Sequence, residues 1–169
     1  MIYWLNGAYG VGKTTVALRL KELLHKAHIV DPEMLGNAIR DNYPETFFRE
    51  TFEECPLWLE MNVKLLAELT RLFDGDLIVP MTLLRESSYD AIIQELKAQG
   101  LPVRFIYLDS DAETLRSRLV NSGREKPDSW CVRHIPVCLD AQRQERRAVH
   151  INTVGRTPDE IAAEIASLP

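Results

Sequence analysis

The sequence predicts an α/β fold: a three-layer sandwich with helices on both faces of a five-stranded parallel sheet. Two observations carry that expectation. Short apolar runs of strand length alternate along the chain with amphipathic stretches of helical period. A glycine-rich run, Gly7 to Thr15, also joins the first strand to the first helix, as a strand-turn-helix unit requires.

The elements follow in order. The apolar runs Ile2–Asn6, Ala27–Asp31, Leu77–Met81, Val103–Leu108 and Ala148–Asn152 read as buried parallel strands. Helical patterns lie between and after them at Lys13–Lys26, Glu33–Asp41, Leu57–Phe73, Ser87–Gln99, Ala112–Val120 and Asp159–Leu168. Their ends are punctuated: Asp74-Gly75 stops the third, Gly100 and Pro102 the fourth, and Thr157-Pro158-Asp159-Glu160 opens the last. Two stretches interrupt the alternation. Asn42 to Pro56 carries Phe47, Phe48 and Phe52 among acids, and Ser122 to Val137 is rich in polar and turn residues. Both fall where strand ends open onto a ligand-binding edge, and they read as flaps.

With 169 residues the chain is expected to form one domain over 1–169, and its 46% hydrophobic content supports a real core. A net charge of −5 opposes a general nucleic-acid binder. No charged leader and no long apolar span is present, so no transmembrane segment is expected and a cytoplasmic location is implied. The odd count of three cysteines, Cys55, Cys131 and Cys138, lacks metal-ligand pairing and reads as reduced thiols. Oligomeric state is left open.

Gly7-Ala8-Tyr9-Gly10-Val11-Gly12-Lys13-Thr14 fits G-x-x-x-x-G-K-[ST], with Thr15 following. A chance match in a chain of this length has a probability of roughly 0.5%, so the run is taken as a phosphate-binding loop. Its glycines let successive N–H groups converge on anionic oxygens, Lys13 reaches the outer phosphates, and the Thr14 hydroxyl suits magnesium. ATP and Mg²⁺ are the expected cofactors. Phosphoryl transfer further needs cations over the migrating group and a carboxylate to orient the nucleophile. Arg118 and Arg124 are the candidate cations. Asp31, at the end of the second strand, is the candidate carboxylate and a possible partner of the metal; its alternative role is the N-cap of the next helix. Glu33 is a weaker candidate, because acids are favoured in any first helical turn. The third strand, Leu77-Ile-Val-Pro-Met-Thr82, lacks the acidic end common in phosphate-loop proteins, so Asp31, or water around Thr82, is expected to serve the metal instead. No N-K-x-D stretch is present to read guanine.

Taken together, these residues resemble the small P-loop kinases of the shikimate, gluconate and chloramphenicol phosphotransferase type. They resemble still more closely the tunicamycin-resistance protein family of ATP-binding proteins. The likeness runs through Trp4-Leu-Asn-Gly-Ala-Tyr-Gly-Val-Gly-Lys-Thr14, Asp31-Pro-Glu-Met-Leu-Gly36, Pro56-Leu-Trp58, Leu77-Ile-Val-Pro-Met-Thr82 and Asp128-Ser-Trp130. The resemblance implies a P-loop, shikimate-kinase-like fold with a substrate flap over about 36–73 and a lid over about 118–137. It implies an ATP-Mg site and a role in resisting a nucleoside-like antibiotic, by phosphorylating or by holding it. By the same resemblance Asp31 takes the place of a catalytic acid, Arg118 and Arg124 those of lid arginines, and Thr153–Thr157 flanks the adenine. The small-molecule substrate or antibiotic would meet Arg40, Trp58, Asn62 and Arg85. Trp58 suits stacking on a ring, and equally suits a core stripe with Met61, Leu65, Leu69 and Leu72.

Overall fold

The five apolar runs pair into one parallel sheet in the order β2-β3-β1-β4-β5. The strands are β1 Ile2–Gly7, β2 Ala27–Ile29, β3 Asp76–Pro80, β4 Val103–Asp109 and β5 Val149–Asn152. The computed structural model describes residues 1–45, 50–123 and 125–169. Phe47 and Phe48 of the first flap and Arg124 of the lid lie outside the described residues.

The helices are α1 Lys13–Leu23, α2 Pro32–Asn42, α3 Pro56–Leu72, α4 over 86–98, α5 over 112–121, α6 Trp130–Arg133, α7 Ile135–Gln144 and α8 Pro158–Ser167. Strand alternation sends Tyr3, Leu5, Ile106 and Leu108 into a core beneath α1, α5 and α8. Ile2, Trp4, Leu77, Val79 and Phe105 pack on the other face against α3 and α4. All six residues of β1 are buried, in keeping with the unbroken apolar run Ile2–Leu5 and the strand's place at the centre of the sheet. Helix α8 opens at Thr157-Pro158-Asp159-Glu160 as expected, through a capping box in which Thr157 Oγ1 accepts from Glu160 N and the Glu160 carboxylate accepts from Thr157 N.

Several boundaries differ from expectation for identifiable reasons. β2 stops two residues early because Pro32 has no N–H to continue a ladder and Asp31 turns out to cap α2. The buried stripe of α3 is Trp58, Asn62, Val63 and Leu66, with Met61 and Leu72 exposed, so the helix is rotated about one position from the stripe expected. Helices α6 and α7 occupy part of the stretch read as a loop. Pro136 looks like a breaker there but sits in the first turn of α7, where its missing N–H has no partner to lose, and Val132, Ile135 and Cys138 bury at helical spacing. All three cysteines are free thiols. Among the described residues no helix is long and apolar enough to cross a membrane.

Candidate active site

The phosphate loop leaves the buried end of β1 and curls through glycines. Gly7 has φ +136°, and a Cβ there would lie 2.7 Å from the Leu108 carbonyl oxygen on β4, so no other residue fits. Gly12, at φ +106°, opens α1 with no side-chain cap, leaving the first N–H groups and the positive end of the helix dipole turned toward the loop. Inside the curl Lys13 Nζ donates to the carbonyls of Gly7 (3.0 Å) and Ala8 (2.9 Å) and lies 5.7 Å from the centre of the Tyr9 ring. Burial lowers its pKa from 10.5 to about 8, so the site holds a cation that an arriving anion would stabilise. The floor of the loop is bolted to the segment after β3. Asn6 and Leu83 exchange two hydrogen bonds, and Thr82 Oγ1 donates to Gly7 O at 2.9 Å. The Thr82 hydroxyl, expected to hold water near a metal, is buried in that contact.

On one side of the loop lies a cavity of about 320 Å³ whose walls include Gly10, Thr15, Arg118, Arg156 and Pro158. Arg118 is placed by a π-helical turn, Ser117–Asn121, and both ends of its fork are held: Nη1 donates to Val11 O (2.9 Å) and Thr153 Oγ1 (3.0 Å), Nη2 to Thr153 O (2.8 Å). Arg118 therefore clamps the phosphate loop to the β5–α8 loop; desolvation lowers its pKa, though a guanidinium stays charged. Arg156 on that second loop, paired with Glu164 at 2.6 Å, went unremarked in the sequence because a lone arginine in a turn has no pattern to mark it.

On the other side a smaller cavity, about 150 Å³, is walled by Tyr9, Glu33, Arg40, Phe52, Glu53 and Trp130, with Thr82 at its base. Flap and lid meet over it: Trp130 Nε1 donates to the Glu50 carboxylate at 2.5 Å, and the Trp130 ring packs edge-on against Tyr9 with centroids 5.1 Å apart. The Tyr9 phenol is pushed up by burial and stays neutral. Glu53 is buried, and its carboxylate accepts from the backbone N–H of Leu84 (3.0 and 3.1 Å) and Arg85 (3.1 Å).

The expected site residues divide. Lys13, Thr14 and the glycines form the loop, Arg118 borders the first cavity and Arg40 the second, its guanidinium 5.6 Å from the Phe52 ring centre. Asp31 is exposed and accepts from Glu33 N at 2.9 Å as the N-cap of α2. Glu33 lines the cavity instead, and its charge is felt by Lys13 and Tyr9. Its position was readable, since Glu33 and Arg40 are seven apart and share one face of α2. Trp58 and Asn62 are fully buried and line neither of these two cavities: Trp58 Nε1 donates to Pro32 O at 2.9 Å, its ring stacks on Phe52, and Asn62 Nδ2 donates to Trp58 O. The physical reason is that α3 turns this stripe onto the sheet. Arg85 pairs with Glu54 at 2.5 Å and borders a different cavity with Tyr89 and Arg147. Arg124 lies outside the described residues.

A family model described as an AAA domain matches residues 2–135. Among solved structures, the Deinococcus radiodurans tunicamycin resistance protein superposes with a TM-score of 0.82 at 30% identity, covering 98% of this chain and 93% of its own. A gluconokinase from Sinorhizobium meliloti 1021 gives 0.68 at 17% identity over 96% of this chain and 87% of its own. The Mycobacterium tuberculosis APS kinase, in complex with AMPPNP and APS, gives 0.62 at 17% identity over 98% and 94%. The last two likenesses concern the fold alone. No curated protein sequence matches the chain significantly.

Proposed function

The chain belongs to the AAA-domain family and to the family of the tunicamycin resistance protein, and from that premise we propose that it is an ATP-Mg-dependent phosphotransferase acting on a small hydroxylated molecule. The proposal includes a role in resistance to tunicamycin or a similar nucleoside antibiotic. The observation that carries it is a half-buried, desolvated lysine ammonium inside a glycine loop that borders two separate cavities. A donor nucleotide and an acceptor need that arrangement, because transfer in line requires the phosphates to pass between them.

The nucleotide base would occupy the Arg118–Arg156 cavity and the acceptor the Glu33–Trp130 cavity, with the phosphates on the loop amides and Lys13. The residues present fit such a ligand: the loop has glycines at positive φ, the first turn of α1 is without a side-chain cap, and Lys13 lies within the same loop. Thr14, exposed in that first turn, would hold Mg²⁺. Among the described residues no group of three His, Cys, Asp or Glu could bind a metal alone, so the nucleotide's own oxygens would complete its shell. When bound, the ion neutralises charge on the phosphates. Glu33 is assigned the acceptor's proton, Lys13 the charge on the transferred group, and Arg118 the positioning of the loop. Asp31 keeps α2 in place and serves the site through it.

The acceptor cavity is smaller than the range of about 300–1,000 Å³ usual for ligand pockets, and Trp130 of the lid closes on Glu50 of the flap beside it. The same closure supports a second reading, in which ATP closes the protein around an antibiotic and sequesters it without transfer. Mass spectrometry of tunicamycin and other hydroxylated compounds after incubation with ATP-Mg separates the two. A product heavier by one phosphoryl group supports transfer; tight binding of an unchanged compound supports sequestration.

A further inference from the structure

Taking the Glu33–Trp130 cavity as the acceptor site, which rests on the reading above, its lining restricts the acceptor's charge. Among the described residues, three carboxylates, Glu33, Glu50 and Glu53, face one guanidinium, Arg40. The backbone N–H groups of Leu84 and Arg85, at the carboxyl end of β3, converge as an anion-binding pair, but Glu53 already fills it from inside the chain with three contacts of 3.0–3.1 Å. Glu50 is held at the lip by Trp130 Nε1. Three aromatic side chains line it, Tyr9, Phe52 stacked on Trp58 and Trp130 stacked on His134, and give it apolar wall, and the Thr51 hydroxyl is buried there without a hydrogen-bond partner.

We infer that this cavity takes an uncharged or cationic hydroxylated ring compound and rejects acceptors bearing a carboxylate or another anionic group. Glu53 closes the amide pair that would receive such a group, and Glu50 and Glu33 repel it in a cleft that focuses their field. A carboxylate placed among these groups, a few ångströms from each, binds on the order of 100-fold more weakly than its neutral counterpart. A hydroxyl compound meets none of that repulsion and satisfies Thr51.

Tryptophan fluorescence quenching tests this without any turnover. Trp4 and Trp58 are fully buried, so quenching by ions reads Trp130 at the cavity wall. With iodide and caesium at equal ionic strength, each scaled to a free tryptophan derivative, caesium should reach Trp130 more effectively. Glu50→Gln, which keeps an oxygen for the indole N–H, should lower caesium quenching and raise iodide quenching, each by about twofold. Iodide quenching equal to or above that of caesium in the unmodified protein overturns the inference. In a second arm, glucosamine, glucose and glucuronate, one sugar ring carrying a cation, no charge and an anion, are titrated as protectants of Trp130 against acrylamide. Protection by glucosamine or glucose at lower concentration than glucuronate supports the inference, and glucuronate protecting first, or none protecting, refutes it. A protein that binds these compounds with the expected rank yet never transfers phosphate loses the kinase reading and keeps this one.

Discussion

Lys13 is held in the fold at a cost in desolvation. Burial lowers its pKa from 10.5 to about 8, so below pH 8 the folded and unfolded chains both carry the proton and the fold bears the buried charge. Between pH 8 and 10.5 the unfolded chain binds the proton that the folded chain has lost, and stability therefore rises with pH across that window. Lys13→Met should raise the melting temperature of the nucleotide-free protein at pH 7, by an amount that shrinks as pH climbs toward 10.5, while abolishing ATP-Mg binding by calorimetry. An unchanged affinity in that variant would remove the loop from the mechanism. The two acids of α2 separate equally cleanly. Glu33→Gln should keep the fold and most ATP affinity and lose roughly 10²–10⁴-fold in turnover, the range of a general acid–base group. Asp31→Asn replaces one good cap by another and should cost at most about 1 kcal/mol of stability with turnover retained. The reverse pattern would return the proton to Asp31.

Element by element, the site depends on how helix ends and turns are aimed. Arg118 reaches Val11 and Thr153 because a π-helical turn at Ser117–Asn121 adds a residue to the helix and re-aims its side chains. A period-3.6 pattern contains no sign of such a turn, so the sequence marks Arg118 as basic lid and leaves its role as a clamp unread. Arg118→Lys keeps the charge but loses the fork that holds two loops at once. With charge-assisted hydrogen bonds worth about 1.5–3 kcal/mol, the KM for ATP should rise by roughly 10- to 100-fold while kcat stays within a few-fold of normal. A collapse of kcat at unchanged KM would instead place Arg118 over the transferred phosphoryl group. Helix α7 makes the converse point: Pro136 hides it from sequence reading, although the buried spacing of Ile135 and Cys138 is regular.

For the whole molecule, the two cavities share one loop and are bordered by elements far apart in the chain, the first by α5 and α8, the second by α2, the flap and α6. A ligand binding only the folded state at 100 times its Kd adds about 2.7 kcal/mol, so saturating ATP-Mg should raise the melting temperature by roughly 5–10 °C. No shift would contradict nucleotide binding. The strands, the layering and the phosphate loop were legible because each depends on local pattern: continuous apolar runs for central strands, amphipathic period for helices, and glycines where the backbone must curl; the order β2-β3-β1-β4-β5 rests on pairing between distant segments and was not. By itself the sequence determined that this is a phosphate-loop α/β protein, and which residues make the loop. Only the tertiary structure decided that Glu33 lines a cavity while Asp31 caps α2, that Trp58 and Asn62 belong to the core, that Arg118 ties the phosphate loop to the β5–α8 loop, and that Glu53 occupies the backbone N–H pair of Leu84 and Arg85. Those outcomes depend on which way a helix is rotated and on contacts between residues 30 or more apart in the chain, such as Glu53 with Leu84, where burial and hydrogen-bond geometry override local preference.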